Sequence, residues 1–218
     1  MNIIVTGANR GIGLSFCQYY NHLGHHVYGV CRQSSSQLET VATVIKNIDI
    51  SDPDSCQSLF KTLSGIKVDV LINNAGILLN ESLGQLNFDT IEQQFNVNAL
   101  GALRITEGLI KHFNQGAKVA LITSRMGSIA DNSSGGRYGY RMSKAALNAA
   151  GKSLAIDLKA LGLAVGIFHP GLVSTDMIGG NGNIEPDEAA QRIAGLIENL
   201  TLSNSGTFWH SNGEILPW

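Results

Sequence analysis

The sequence predicts a single α/β domain in which helices cover both faces of a doubly wound parallel sheet of about seven strands. An apolar run, a glycine turn, a helical stretch and a second apolar run follow one another within the first 31 residues. This order is that of a βαβ unit. Short apolar runs keep alternating with helical stretches to the C-terminus, and no repeat or long linker divides the 218 residues.

Seven short apolar runs, mostly ended by Gly, Pro, Asn or Asp, are predicted to be strands. The first is closed by a glycine turn, the third by Asp49, and the sixth by His169-Pro170-Gly171. The serine-rich residues 33–37 form a loop, with at most a short helix after it. The strands are predicted at residues 2–6, 26–31, 43–48, 68–73, 118–123, 164–168 and 206–210.

The helices are placed by their start and stop signals. Gly24 and Gly162 follow helix ends, Ser51-Asp52-Pro53-Asp54 combines a capping residue with an early proline and acids, and Pro186 opens the last helix. The predicted helices span about 12–23, a stretch from residue 51, 88–113, 138–161 and 186–199. The strand and helix order is that of a Rossmann fold over residues 1–218.

Composition excludes several classes of function. The net charge is −2 and the basic residues are scattered, so no nucleic-acid or anionic-membrane partner is predicted. No apolar run approaches the roughly 20 residues that span a bilayer. The three cysteines lack metal-ligand or redox spacing and predict reduced thiols in the cytoplasm. His22, His25 and His26 straddle a helix end without supporting ligands, so no metal site is predicted.

The first glycine turn has three glycines, Gly7, Gly11 and Gly13, immediately before a helix. Glycines allow a tight turn and bring backbone close to a pyrophosphate, while the free N–H groups of the helix face its charge. Three glycines can also make only a tight connection, so the turn by itself leaves both interpretations open. It is not a P-loop, because no Lys-Ser/Thr pair follows.

The residue at the end of the second strand selects the dinucleotide in such folds. An acid there binds the ribose 2′-hydroxyl of NAD, whereas an arginine accommodates the 2′-phosphate of NADP. Here Arg32 occupies this place, Arg10 lies in the glycine turn, and no acid follows before Glu39. The sequence therefore favours NADP(H) over NAD(H).

Tyr140 and Lys144 stand four residues apart on a predicted helix and share one of its faces. A phenol has a pKa of about 10, and a neighbouring ammonium is expected to lower it by roughly 1–3 units. The pair then acts as an acid/base, with Ser124 sixteen positions earlier as its partner. In isolation a Tyr-x-x-x-Lys spacing is more often packing, so the assignment depends on the rest of the chain.

The whole chain resembles the short-chain dehydrogenase/reductases, and its last helix and tail resemble the small carbonyl-reductase and C-factor-like branch. Several motifs in order carry the resemblance. They are Thr6-Gly7 through Gly13, Asp49, Asn73-Asn74-Ala75-Gly76, Asn98, Ser124, Tyr140 with Lys144, Pro170-Gly171 with Thr175, and the C-terminal Asp187-Glu188-Ala189-Ala190 and Asn212–Trp218.

The resemblance implies a catalytic set of Asn98, Ser124, Tyr140 and Lys144. Ser124, or in its place Thr123 or Ser128, would hydrogen-bond the substrate carbonyl, and Asn98 would hold a water that links Lys144 to solvent. The implied cofactor-binding residues are Gly7, Asn9, Arg10, Gly11, Ile12, Gly13, Arg32, Asp49, Asn74, Ala75, Gly76, Tyr140, Lys144, Pro170, Gly171, Val173 and Thr175. Asp49 would contact adenine, and Thr175 the nicotinamide carboxamide.

The implied activity is an NADP(H)-dependent oxidoreductase that transfers a hydride between nicotinamide and a small carbonyl or alcohol substrate. A non-enzymatic NAD(P)-binding regulatory protein on the same fold is the alternative. A sugar-nucleotide epimerase is less favoured, because the loop at 172–184 is short. Apolar residues at the strand ends predict a pocket wall: Leu78, Leu79, Met126, Ile129, Met177 and Ile178. Helices that correspond to 88–113 and 138–161 form the subunit contact in many members of the family, although some members are monomers, so the resemblance implies a homodimer or homotetramer.

Overall fold

One sheet of seven parallel strands forms the centre of the protein in a computed structural model that describes residues 1–218. The order across the sheet is β3-β2-β1-β4-β5-β6-β7. The strands are β1 (Asn2–Thr6), β2 (His26–Val30), β3 (Thr43–Ile45), β4 (Val68–Asn73), β5 (Phe113–Ile122), β6 (Ala164–His169) and β7 (Phe208–His210). This confirms the predicted seven-stranded Rossmann fold.

Seven helices connect the strands: α1 (Gly11–His22), α2 (Ser36–Glu39), α3 (Pro53–Thr62), α4 (Phe88–Phe95), α5 (Ala102–Gly108), α6 (Tyr138–Asp157) and α7 (Pro186–Glu198). The predicted cap of α3 is present, since the Asp52 carboxylate accepts the Asp54 and Ser55 N–H groups and Pro53 is the first helical residue. No helix is long and apolar enough to cross a bilayer.

The core is divided by the sheet into two layers. Alternate residues of each strand point to opposite faces, so Leu71 of β4 belongs to one layer and Ile72 to the other. Helices α3, α5 and α6 bury side chains in the first layer, and α1, α2 and α7 in the second. Helices therefore cover both faces, as the fold class predicts.

The predicted single helix at 88–113 is wrong in its interior and at its end. A π-helical turn, Asn96–Gly101, separates α4 from α5, and Phe113 starts β5 instead of ending a helix. The extra residue of the π-helical turn is a common device at functional sites, and here the turn carries Asn98, which is fully buried. Phe113 pairs with Val68, an irregular register that only the folded sheet specifies.

Three strands are shorter than predicted: β2 ends one residue early at Val30, and β3 and β7 lose more because the backbone leaves the extended region. β3 ends at Ile45, and Asn47 adopts φ 63° two residues later. β7 begins at Phe208 because Gly206 lies at φ 76°. None of these changes alters the order of the sheet.

The strand order reverses between β1 and β4. The strands β2 and β3 lie on one side of this pair, and β5, β6 and β7 lie on the other. In open parallel sheets, ligands bind outside the carboxyl ends of the strands at this switch point. The glycine turn follows β1 here, and Asn74-Ala75-Gly76 follow β4.

Candidate active site

The glycine turn after β1 is packed too closely for any side chain. A Cβ added to Gly13 would lie 2.1 Å from the Gly7 carbonyl oxygen, and one added to Gly7, at φ 64°, would lie 2.8 Å from the Ala75 Cα. Such contacts leave no room for a methyl group. Gly11 is at φ 52°, a conformation that favours glycine. The three predicted glycines therefore make a turn whose backbone opens directly into the start of α1.

The segment after β4 is fastened to this turn by hydrogen bonds. The Asn74 side-chain amide donates to the carbonyl oxygens of Thr6 and Gly7, at 3.1 and 3.2 Å. The Thr6 hydroxyl accepts the N–H groups of Asn74 and Ala75, both at 3.1 Å. Asn74 thus holds the segments that follow β1 and β4 together. Ala75 packs against Gly7, and Gly76 lies near Lys144.

Asp49 follows β3 and lies beside Arg32, an exposed residue that follows β2. Burial acts to raise the pKa of Asp49, but hydrogen bonds from the Ser51 hydroxyl and N–H and the charge of Arg32 outweigh it, so the pKa lies below its usual value. The Ser51 hydroxyl donates to the Asp49 carboxylate at 2.6 Å. Arg32 makes no salt bridge in the chain, which leaves its guanidinium available to a phosphate.

Arg10, predicted to reach the same phosphate as a second cation, has a partner within the chain. Its guanidinium forms an exposed ion pair with Asp176, at 3.0 Å, in the segment after β6. Thr175 lies beside the glycine turn, with its methyl 3.3 Å from where a Gly11 Cβ would be. Of the residues that follow β6, Gly171 takes φ 96° and Val173 bridges to Ile184.

Ser124, Tyr140 and Lys144 are brought together as predicted. The turn after β5 packs on the backbone of α6, where a Cβ on Gly127 would lie 2.7 Å from the Lys144 carbonyl carbon. All three side chains are buried. The Lys144 ammonium donates to the Ile122 carbonyl oxygen at 2.9 Å and lies 5.7 Å from the centre of the Tyr140 ring.

The geometry separates Ser124 from its two sequence alternatives. Thr123 donates to the Asn148 side-chain oxygen at 2.7 Å and is held in the core. Ser128 is buried and accepts the Asp131 N–H. Ser124 accepts the Met126 N–H at 3.1 Å, and of the three hydroxyls it is the one that hydrogen-bonds the Tyr140 hydroxyl.

The expected lowering of the Tyr140 pKa by Lys144 is wrong. Burial raises the pKa of Tyr140, and the nearby Ser124 hydroxyl and the charge of Arg137 oppose the rise only in part. Burial lowers the pKa of Lys144 to about 8. Desolvation disfavours the charged form of both groups, so the sequence spacing gave the pairing but not the balance between charge and burial.

Asn98 occupies the π-helical turn with all of its amide groups engaged. Its nitrogen donates to the Ile77 carbonyl and the Ser143 hydroxyl, both at 2.9 Å, and its oxygen accepts the Ile77 N–H at 2.8 Å. Ser143 in turn donates to the Tyr140 carbonyl at 2.9 Å. Asn98 therefore connects the segment after β4 to the turn of α6 that carries Tyr140.

A buried carboxylate that sequence analysis missed holds the beginning of α6. Glu81 accepts the Gly139 N–H at 3.1 Å, the Gln94 amide at 2.6 Å and the Thr90 hydroxyl at 3.0 Å. Glu81 is only 4% exposed. No local pattern marks this residue, because its partners lie on α4 and α6, up to 58 positions away. Because Glu81 binds Gly139, the residue before Tyr140, it supports the position of Tyr140.

His169, interpreted from the sequence as structural, ends β6 beside the site. Its ring lies edge-on to that of His210, at 4.9 Å between centres. Burial is the main cause that lowers the pKa of His169 to about 3, with smaller effects from His210, Arg125 and Lys144. The imidazole is therefore neutral at physiological pH, and its buried Nδ1 has no hydrogen-bond partner in the chain.

Comparison with known protein families gives a match over most of the chain. The model of the short chain dehydrogenase family matches residues 1–185. Among relatives, a 1-hydroxy-2-glutathionyl-2-methyl-3-butene dehydrogenase from Rhodococcus sp. (strain AD45) is 38% identical, over 99% of each chain. The C-signal protein of Myxococcus xanthus is 43% identical over 69% of this chain and 93% of its own.

Solved structures with the same fold include two carbonyl reductases. The enzyme from chicken fatty liver, solved with NADPH bound, superposes with a TM-score of 0.89 at 26% identity, over 100% of this chain and 98% of its own. The carbonyl reductase Sniffer of D. melanogaster superposes with a TM-score of 0.91 at 26% identity, over 100% of this chain and 99% of its own.

Proposed function

The chain belongs to the short-chain dehydrogenase family and is an oxidoreductase, and from this premise we propose that it is an NADP(H)-dependent reductase of aldehydes or ketones. The observation that carries the proposal is the burial of Ser124, Tyr140 and Lys144 together beside the switch point of the sheet. A module that only binds a dinucleotide has no need of a buried proton donor with a buried amine beside it.

A bound nicotinamide would supply the hydride for the carbonyl carbon, and side chains of the protein would bind and protonate the carbonyl oxygen. The Ser124 and Tyr140 hydroxyls donate hydrogen bonds to the carbonyl oxygen, and these bonds strengthen as negative charge develops on it. Tyr140 then transfers its proton to that oxygen and becomes a phenolate. The Lys144 ammonium, which lies 5.7 Å from the centre of the Tyr140 ring, stabilises the phenolate by its charge.

NADP(H) is proposed over NAD(H) because of the charge at the end of β2. Arg32 is exposed, makes no ion pair and lies beside Asp49, where an adenosine ribose would be held. No acidic residue stands at the end of β2, the position that binds the ribose 2′-hydroxyl of NAD in such folds. The NADPH in the chicken carbonyl reductase supports the same choice. The proposed holders of the rest of the cofactor are the glycine turn, Asn74-Ala75-Gly76 and the segment from Pro170 to Thr175.

The direction of the reaction is part of the proposal. The chicken and D. melanogaster proteins are named reductases, whereas the Rhodococcus relative is named a dehydrogenase. The same residues serve both directions, because Tyr140 as a phenolate takes the proton of an alcohol. A small-molecule substrate, a cytoplasmic location and a homodimer or homotetramer complete the proposal.

A signalling protein on the same fold is the second candidate, since the Myxococcus xanthus relative is named C-signal. The two candidates differ in turnover. Purified protein with NADPH and a panel of aldehydes and ketones should oxidise the cofactor, followed by absorbance. Saturable NADPH binding without turnover of any compound would favour the signalling protein.

The decisive variant is Tyr140→Phe, which removes only the phenolic oxygen. We expect kcat to fall by about 10²–10⁴-fold, the usual contribution of a positioned proton donor, with NADPH affinity unchanged. Tyr138→Phe, two residues earlier on α6, is the matched control and should keep its rate. A Tyr140→Phe protein with most of the parent activity would rule out this mechanism.

A further inference from the structure

Arg137, the residue before α6, has a backbone conformation that an arginine rarely adopts. It lies at φ 50° and ψ 47°, in the left-handed region, which costs a non-glycine residue about 1–2 kcal/mol. Two hydrogen bonds hold it there: its N–H donates to the Glu81 carbonyl at 3.0 Å, and its own carbonyl accepts the Arg141 N–H at 2.9 Å. The backbone of Arg137 is therefore fixed at the start of α6.

The guanidinium of Arg137 has no oxygen partner in the chain. Its one contact is from Nη1 to the Met126 sulfur at 3.8 Å, and sulfur is a weak acceptor. The other two arginines of this segment are engaged. Arg125 pairs with Asp131 at 2.7 Å, and Arg141 donates to the Ser134 hydroxyl at 2.8 Å and to loop carbonyls. Asp131, the one carboxylate between residues 124 and 141, is thus already paired.

The free guanidinium lies beside the reacting groups. Met126, which it contacts, donates its N–H to the Ser124 hydroxyl oxygen. Arg137 precedes Tyr140 by three residues, and its charge is close enough to oppose in part the rise in the pKa of that phenol caused by burial. An anion held by Arg137 would therefore sit next to a carbonyl group held by Ser124 and Tyr140.

We propose that Arg137 binds a carboxylate of the substrate, so that the preferred substrates are aldehydes or ketones with a carboxylate near the carbonyl group. A planar guanidinium with five donors matches a carboxylate in two parallel hydrogen bonds. The inference rests on the proposed reductase function, and it adds the charge class of the substrate. It assigns specificity to a residue outside the proton-transfer set.

The test compares matched acids and esters. The ortho, meta and para carboxybenzaldehydes are assayed with NADPH against their methyl esters, in the parent, Arg137→Gln and Arg137→Lys. The control is Lys61→Gln, which removes one charge from an exposed position on α3. The measured quantity is the ratio of kcat/KM for acid to ester, because an effect of Arg137 through Tyr140 changes both substrates alike and cancels.

We expect the parent to prefer at least one acid, and Arg137→Gln to lower the acid-to-ester ratio by about tenfold or more, mostly through KM for the acid. Arg137→Lys should restore much of the ratio, Lys61→Gln should keep it, and salt should reduce the preference. A ratio that stays within about twofold in Arg137→Gln, or an equal loss for acid and ester, would overturn the proposal.

A binding measurement separates this inference from the reductase proposal. Titration calorimetry with carboxybenzamides and the uncharged dicarboxamides, with and without NADP(H), needs no turnover. If no aldehyde reacts but the charged amides bind through Arg137, the carboxylate site stands and the reductase function fails. If aldehydes react and neither turnover nor binding depends on Arg137, the reductase stands and the carboxylate site fails.

Discussion

Removal of the Glu81 carboxylate should loosen the start of the helix that carries Tyr140. In Glu81→Ala, the Gly139 N–H and one N–H of the buried Gln94 amide lose their acceptors, whereas the Thr90 hydroxyl keeps the Asn87 carbonyl at 2.9 Å. Each buried donor left without a partner costs about 1–3 kcal/mol, so the free energy of unfolding should fall by about 2–6 kcal/mol.

The assay is urea and thermal unfolding followed by circular dichroism. In a domain of this size, about 1 kcal/mol corresponds to about 2–4 °C, so Tm should fall by about 4 °C or more. Glu81→Gln should lose less stability, because its amide oxygen can still accept one of these hydrogen bonds. It should lose some, because its NH2 group faces another donor. Glu92→Gln, exposed on the same α4, is the matched control and should change stability by less than about 0.5 kcal/mol.

Measurements of activity test whether Glu81 positions Tyr140. If Glu81 positions Tyr140, then kcat of the folded Glu81→Gln protein falls while NADPH affinity is kept, since the glycine turn is not part of this network. A Glu81→Ala protein that loses less than about 1 kcal/mol would refute the argument from buried donors. A stable Glu81→Gln protein with the parent kcat would refute the positioning role.

Three further results are expected. Lys144 is charged below and neutral above its pKa of about 8, so kcat/KM for NADPH, which reports the free enzyme, should fall as pH rises through about 8, and Lys144→Arg should remove that fall in a pH–rate profile. Arg32→Asp should weaken NADPH binding by about tenfold or more and NADH binding much less in a fluorescence titration, and equal losses would refute the role of Arg32. Gly13→Ala should abolish NADPH binding, because its Cβ would lie 2.1 Å from the Gly7 carbonyl oxygen, whereas Gly195→Ala on α7, with open space around its Cβ, should bind normally and gain about 0.5–1 kcal/mol of stability.

Local signals in the sequence were sufficient for the order of the fold. Glycine, proline and capping residues ended the elements near the places the structure gives them, and Pro53 with Asp52 began α3 as expected. The exceptions are where distant packing decides. Phe113 is extended because it pairs with Val68, and the π-helical turn exists within a stretch that reads as one helix.

The grouping of the candidate site residues was predictable for a physical reason. Loops at the carboxyl ends of parallel strands meet at one edge, so Ser124 after β5 and Gly76 after β4 were expected near α6, which carries Tyr140 and Lys144. The charge balance was not predictable from spacing, because it depends on how far each group is removed from water. Burial raises the pKa of Tyr140, against the expected direction, and lowers the pKa of Lys144.

The sequence by itself predicted the sheet, the glycine turn and the candidate site residues, because these follow from local conformation and from residues a few positions apart. Only the tertiary structure decided which charges are free. Arg10 is paired with Asp176, 166 positions away, Glu81 is buried against two helices, and Arg137 is left without an oxygen partner. Pairings of this kind depend on the distance between side chains in space, and no local pattern encodes that distance.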